Sequence, residues 1–143
     1  MNANGSAEPS REQLNWGDTM AIHIVEIHVR REMQCNSDTI FNDVGIVVPA
    51  HLDNPKVEDG DVIEFHYCLD ESTGADKRVT INFHKDWSKA NANSLEVAVG
   101  NKVTWISDQG VKGASGKMKY MVYCHSIGEY AVGDSPPDMV FHP

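Results

Sequence analysis

The strongest constraint on the fold is a run of alternating apolar and polar residues in the middle of the chain. In residues 62–69, VIEFHYCL, every second side chain is apolar, and the predicted inner face consists of Ile63, Phe65, Tyr67 and Leu69. A period of two residues is typical of a strand that places one face in a core. The preceding turn, Glu58–Asp61, contains Gly60, the residue type that best tolerates a positive φ. The pattern therefore predicts a half-buried strand that begins after this turn.

Similar short apolar runs, separated by turn residues, follow one another along most of the chain. Val79, Ile81 and Phe83 are predicted to face inward, and two further runs flank Gly100 as a hairpin-like pair. We count about seven to eight short strands, with turn signals roughly every 8–12 residues and little helix. This spacing predicts an all-β fold, a single antiparallel Greek-key β-sandwich.

One of these runs, residues 20–32, contains an ambiguity in its alternation. Ile22 and Ile24 share one face of an extended chain, whereas Ile27 and Val29 share the other. If all four belong to the core, the phase must change between them, and a β-bulge provides such a change. We therefore expect a bulge near Val25 in this strand.

The first residues of the chain lack any such pattern. They are polar, contain Gly5, Pro9 and Gly17, and include no apolar segment of the kind found in a secretion signal. We expect residues 1–18 to be a flexible tail and residues 19–143 to be one sandwich domain, because 143 residues are enough for a single self-sufficient core.

The net charge and the cysteine content limit which partners and which cellular compartment are expected. The formal net charge is −9, with 12 Lys and Arg against 21 Asp and Glu. Phosphates would repel such a chain, so neither nucleic acid nor membrane is expected as a partner. The odd number of cysteines, 3, favours reduced thiols in the cytoplasm. The periplasm is the alternative if a signal peptide has been removed.

Three segments, in this order, resemble the cupredoxin-like family. Residues 57–65, VEDGDVIEF, are similar to its Val-x-x-Gly-Asp-x-Val-x-Phe strand, and residues 97–105, VAVGNKVTW, are similar to a later Val-x-x-Gly-x-x-Val-x-Trp stretch. Residues 119–124, KYMVYC, resemble the strand that carries the family's cysteine. The ending, residues 135–143, is similar to that of small uncharacterised bacterial members without copper ligands. The resemblance covers about residues 20–143 and implies a cupredoxin-like sandwich.

The resemblance makes Cys124 and His125 the candidate metal ligands. A type 1 copper site needs two His and one Cys, usually with a weak Met. The family's first His precedes the strand at residues 78–83, but here that loop has no His and contains Lys77 and Arg78, which would repel a cation. The family's second His follows the Cys after a short gap, whereas His125 is adjacent to Cys124. Because neighbours on a strand point to opposite faces, we expect the site to be empty and no cofactor to be bound.

The sequence gives weaker support to other candidate metal-binding groups. Glu64, His66 and Cys68 share the predicted outer face of one strand, either as a surface metal site or as an ordinary polar face. His23 and His28 lie on the two sides of the expected bulge and need not share a face. A disulfide between Cys68 and Cys124 is not expected, because the two thiols are predicted on opposite faces of their strands.

Motifs of catalysis are absent from the sequence. It has no G-x-S-x-G elbow, no Walker loop and no dinucleotide fingerprint, so we do not expect an enzyme. The predicted function is a non-catalytic binding or interaction domain with an unidentified protein or small-molecule partner. The alternative is a copper-binding or electron-transfer protein that uses Cys124 and His125.

Overall fold

The computed structural model describes residues 20–35, 39–58, 60–83, 94–107, 117–131 and 137–141. Within these ranges it contains ten strands and no helix, so the all-β fold is confirmed. The strands are β1 Ile22–Cys35, β2 Thr39–Val48, β3 His51–Val57, β4 Val62–Asp70, β5 Arg78–Phe83, β6 Ser94–Ala98, β7 Lys102–Ile106, β8 Lys117–Cys124, β9 Glu129–Tyr130 and β10 Asp138–Phe141. The predicted tail, residues 1–18, lies outside the described residues. No helix in the described ranges has the length and apolarity needed to cross a membrane.

The strands form two sheets. Six strands make one sheet in the order β3-β10-β8-β5-β6, with β9 paired to β8, and four make the other in the order β2-β1-β4-β7. Two neighbouring pairs, β1 with β4 and β3 with β10, are parallel, which corrects the expectation of purely antiparallel sheets. Parallel neighbours are joined by long crossovers rather than tight turns, so local turn residues do not reveal them. The Greek-key connectivity stays a prediction.

The turn at Gly100 joins the two sheets. β6 pairs with β5 in one sheet, whereas β7 pairs with β4 in the other, so the expected hairpin-like pair forms a corner of the sandwich. Gly100 has a φ of 87°, and its amide donates to the Tyr67 carbonyl oxygen at 2.7 Å. This contact fixes the corner onto the middle of the four-stranded sheet.

The core lies between the sheets and is rich in aromatic residues. Val79, Ile81 and Phe83 are buried as predicted. The Phe83 ring stacks on Trp105 with centroids 5.2 Å apart, and Phe65 meets Tyr120 edge-on at 5.5 Å. Such contacts join residues of both sheets, since β5 and β8 belong to one sheet and β4 and β7 to the other.

The alternation in β1 is regular throughout the segment where a bulge was expected. His23, Val25, Ile27 and Val29 are buried, whereas Ile22 and Ile24 are exposed, so the prediction of a bulge in β1 is wrong. The irregularity lies in β4, because Ile27 pairs with Tyr67 while His28 pairs with Leu69, which leaves Cys68 as the extra residue. Leu69, predicted to face inward, is exposed. β1 needs no bulge because Ile22 and Ile24 lie on the surface and alternate with buried residues.

Candidate functional site

Cys124 lies at the end of β8 with its side chain in the core. It is fully buried and pairs with Val79 of β5. Across the sandwich it faces β2, where a Cβ at Gly45 would lie 2.6 Å from Cys124 Sγ. Burial, and then the negative charges of Asp70 and Glu129, raise the pKa of the Cys124 thiol to about 12. Cys124 is therefore a protonated thiol near neutral pH in the metal-free chain.

A polar network adjoins Cys124, and we call these residues the Cys124 pole: Tyr67, Asp70, Ser72, Lys77 and Cys124. Lys77 Nζ donates to Asp70 Oδ1 at 3.1 Å and lies 3.3 Å from Ser72 Oγ. The Ser72 hydroxyl donates to Asp70 Oδ1 at 2.6 Å, and the Tyr67 hydroxyl donates to Asp70 Oδ2. The carboxylate has no exposed surface, and it is held by a cation and two hydroxyls.

The ionisation of Asp70 follows from this network. Burial by itself raises the pKa of Asp70, but the hydroxyls of Ser126, Ser72 and Tyr67 and the Ser72 amide outweigh it and lower the pKa to about 2. In the described ranges Ser126 Oγ has no partner at hydrogen-bond distance and angle. The hydrogen bonds that hold the Asp70 carboxylate are therefore those from Ser72 and Tyr67. Burial and the bond to Asp70 raise the pKa of Tyr67. The pole thus holds one anion, one cation and three neutral groups.

His125 lies on the other side of the sheet from the Cys124 thiol. Its Nε2 is 2.7 Å from Thr80 Oγ1, and its ring meets Tyr123 edge-on at 5.0 Å. Thr80 and Tyr123 alternate with buried residues of β5 and β8, so both face away from the core. His125 Nδ1 also lies 3.9 Å from Asp76. Cys124 and His125 are adjacent in sequence, but their side chains do not converge.

In the described ranges, the ligands that a type 1 copper ion needs do not meet at Cys124. Copper of this type needs imidazoles beside the thiolate, whereas the described groups near the Cys124 thiol include the Gly45 backbone and the carboxylates of Asp70 and Glu129. In the described ranges Cys124 belongs to no group of three His, Cys, Asp or Glu ligands whose atoms lie within 4.8 Å of one another. His84 and His142 lie outside those ranges. That Cys124 and His125 hold no metal therefore stays a prediction.

A different group of ligand-type side chains meets on the outer face of the four-stranded sheet. Glu26, His28 and Cys68 each offer one ligand atom, and these atoms lie within 4.8 Å of one another. His28 Nε2 is 3.1 Å from Glu26 Oε1, and His28 Nδ1 is buried with no hydrogen-bond partner among the residues described. Burial, and then the charge of Glu26, raise the pKa of Cys68. We call these three residues the β1–β4 cluster.

The grouping predicted on this face, Glu64 with His66 and Cys68, is divided in the structure. His66 Nε2 lies 2.9 Å from Glu64 Oε1, and Lys102 Nζ lies 3.4 Å from Glu64 Oε2. The hydrogen bond from His66 lowers the pKa of Glu64. Cys68 instead lies near Glu26 and His28 of β1, and it is the extra residue of the bulge in β4. Sequence reasoning did not join Glu26 and His28 to Cys68, because the parallel pairing of β1 with β4 has no local signal.

On the same sheet face, toward the start of β1, lie large apolar side chains that we call the isoleucine patch: Met20, Ile22, Ile24 and Ile106. Each is between 49% and 54% exposed. Ile22 pairs with Val62, and Val62 pairs with Ile106, so these three form one row across β1, β4 and β7. Neighbouring strands are about 4.8 Å apart, which makes the row a continuous apolar surface.

At the opposite end of the core from Cys124, a buried acid organises the start of β4. Asp61 is fully buried, and its Oδ2 lies 2.8 Å from His23 Nε2. The Ala21 amide donates to Asp61 Oδ1 and the Glu58 amide donates to Asp61 Oδ2, each at 2.9 Å. His23 thus faces the core while His28 faces outward. The arrangement is structural, because it satisfies backbone amides where β1 and β4 begin.

No protein-family model matches this chain, and no curated protein sequence matches it. Among solved structures, a multicopper oxidase superposes with a TM-score of 0.49 and 12% identity, over 85% of this chain and 44% of that one. The blue copper oxidase from Nitrosomonas europaea superposes with a TM-score of 0.41 and 12% identity, over 87% of this chain and 39% of that one. The chain thus spans less than half the length of either structure. At such values neither likeness carries an argument about a metal, an activity or a partner of this chain.

Proposed function

We propose that this chain is a non-catalytic binding domain that engages a protein partner through the isoleucine patch. The observation that carries this proposal is the row formed by Ile22, Val62 and Ile106, extended by Ile24 and Met20. Monomeric soluble proteins rarely expose large contiguous apolar patches without a use for them, and such patches commonly mark protein interfaces. A flat sheet face suits a partner of extended surface better than a small ligand, which prefers a concave pocket.

Charge favours a partner other than a second copy. The chain carries a net charge of −9, and the exposed Glu26 lies beside the patch on the same face of β1. Two such surfaces would repel one another, whereas a partner with an apolar centre and a basic rim would be attracted. We therefore commit to a different protein that presents an apolar surface bordered by Lys and Arg.

The test compares two lysine substitutions in capture experiments from an extract of the source cells. Ile24→Lys places a charge in the patch, and Met121→Lys is the matched control, because Met121 is 44% exposed on β8 of the other sheet. We expect one partner to bind the unmodified chain and the Met121→Lys variant, to be lost with Ile24→Lys, and to bind more weakly as salt increases. Unchanged melting temperatures of both variants exclude misfolding as the cause.

Two results would overturn the proposal. Equal capture by both variants would show that the patch is not the interface. Sedimentation that reveals a dimer of the unmodified chain, abolished by Ile24→Lys, would assign the patch to self-association instead.

A further inference from the structure

We propose that the β1–β4 cluster, Glu26, His28 and Cys68, is a Zn²⁺ site. This inference is independent of the protein partner proposed above, because it uses other residues of the same sheet face. Nothing in the sequence motifs suggests it, since the three ligands come from two strands that are neighbours only in the folded chain. The geometry points to it because the three ligand atoms lie within 4.8 Å of one another.

The backbone explains how these side chains meet. The regular alternation of β1 places Glu26 and His28 on the outer face, two residues apart. β4 lies beside β1 in parallel, with Glu26 paired to His66 and His28 paired to Leu69. Cys68 is the extra residue between these pairs, so it lies beside β1 between the positions of Glu26 and His28.

The chemistry of the three groups suits zinc better than a hard cation. Zn²⁺ takes a thiolate sulfur, an imidazole nitrogen and a carboxylate oxygen, with bonds that place tetrahedral ligand atoms about 3.3–3.8 Å apart. His28 Nε2 and Glu26 Oε1 are 3.1 Å apart, so two of the three atoms are already about as close as a shared ion needs. Glu26 is 49% exposed and can adjust by rotation of its side chain.

The protein leaves part of the donor set unused. His28 Nδ1 is buried and has no hydrogen-bond partner within the described ranges. A buried ring nitrogen without a partner is costly, so the contact with Glu26 does not satisfy this ring completely, and one of its two nitrogens can take an ion. On binding, the Cys68 S–H bond breaks, its proton passes to solvent, and the sulfur lone pair forms the bond to Zn²⁺. A Glu carboxylate and a Cys thiolate together balance the charge of the ion.

Three protein ligands leave one position of a tetrahedral ion open. Water fills this position in an isolated chain.

The test uses Zn²⁺ alone, in competition with a chromophoric chelator, and Co²⁺ as a spectroscopic probe. We expect one equivalent of Zn²⁺ per chain and a thiolate-to-cobalt absorption band with Co²⁺. Cys68→Ser, His28→Ala and Glu26→Gln should each weaken Zn²⁺ binding by at least about tenfold. Cys68→Ser should also abolish the cobalt band.

Matched controls share the chemistry but not the position. His66→Ala removes a neighbouring imidazole of the same face, and Cys124→Ser removes the buried thiol. Neither should change Zn²⁺ affinity by more than about twofold if the cluster is the site. Melting temperatures measured without metal show that each variant folds.

Three outcomes would overturn the assignment of a Zn²⁺ site to this cluster. The first is the absence of a thiolate-to-cobalt band in the unmodified chain. The second is a loss with His66→Ala as large as that with His28→Ala. The third is Zn²⁺ binding that occurs only with dimerisation, which would place the ligands on two chains.

Discussion

Gly45 on β2 and Cys124 on β8 touch across the two sheets so closely that no side chain fits between them. A Cβ at Gly45 would lie 2.6 Å from Cys124 Sγ and 3.3 Å from the Ala131 Cα. Gly45→Ala is therefore expected to destabilise the fold by about 1–3 kcal/mol through overpacking. Unfolding by urea measures the change. In a Cys124→Ala background the same substitution should cost less, because Sγ is gone, and full additivity of the two changes would contradict the close contact.

The burial of Cys124 predicts a large difference in thiol reactivity. Its pKa is raised to about 12, and it has no exposed surface, whereas Cys68 is exposed. In a Cys35→Ser background, we expect a thiol reagent to modify Cys68 in the folded protein and Cys124 only after unfolding. Loss of a reactive thiol from the folded protein on Cys124→Ser would be the opposite result.

Copper titration tests the alternative function assigned to Cys124 and His125. These two side chains lie on opposite sides of their sheet, and Lys77 places a positive charge at the Cys124 pole. We therefore expect no intense thiolate-to-copper absorption that depends on Cys124. A visible band that disappears with Cys124→Ser but persists with Cys68→Ser would establish copper at the pole.

The Asp70 network predicts a specific loss of stability in acid. The pKa of Asp70 is lowered from 3.8 to about 2 in the folded chain. The ionised carboxylate therefore stabilises the fold above pH 3.8, and this contribution is lost as the pH falls toward 2. The contribution is on the order of 2 kcal/mol. Asp70→Asn should lower the free energy of unfolding near neutral pH and flatten its decline across this window. Identical slopes for both proteins, measured by urea unfolding, would exclude Asp70 as the titrating group.

Asp61 is expected to be among the most sensitive polar positions. It is fully buried and accepts hydrogen bonds from His23 and from the amides of Ala21 and Glu58. Asp61→Ala should cost roughly 3–5 kcal/mol, because it leaves these donors buried without an acceptor. Asp61→Asn keeps one acceptor oxygen and should cost less. Asp53→Ala, on the exposed surface, is the control, and an equal effect at both positions would contradict the structural role of Asp61.

The sequence was sufficient to predict elements whose signal is local. Alternation placed Ile63, Phe65 and Tyr67 inside, and Gly60 has the positive φ of 87° that its turn suggested. Two inferences failed where alternation alone cannot distinguish a core from an apolar surface. Leu69 was predicted to face inward and is exposed, and a bulge was expected in β1 whereas the irregularity lies in β4.

The amino-acid sequence by itself determined the all-β class, the inner face of β4 as far as Tyr67 and the inner face of β5, because a period of two residues records directly which side of a strand is buried. Only the tertiary structure decided which strands are neighbours. The parallel pairing of β1 with β4 brings Glu26 and His28 to Cys68, and the approach of β2 to β8 brings Gly45 to Cys124. Contacts of this kind depend on long-range packing of residues far apart in the chain, and no local pattern encodes them.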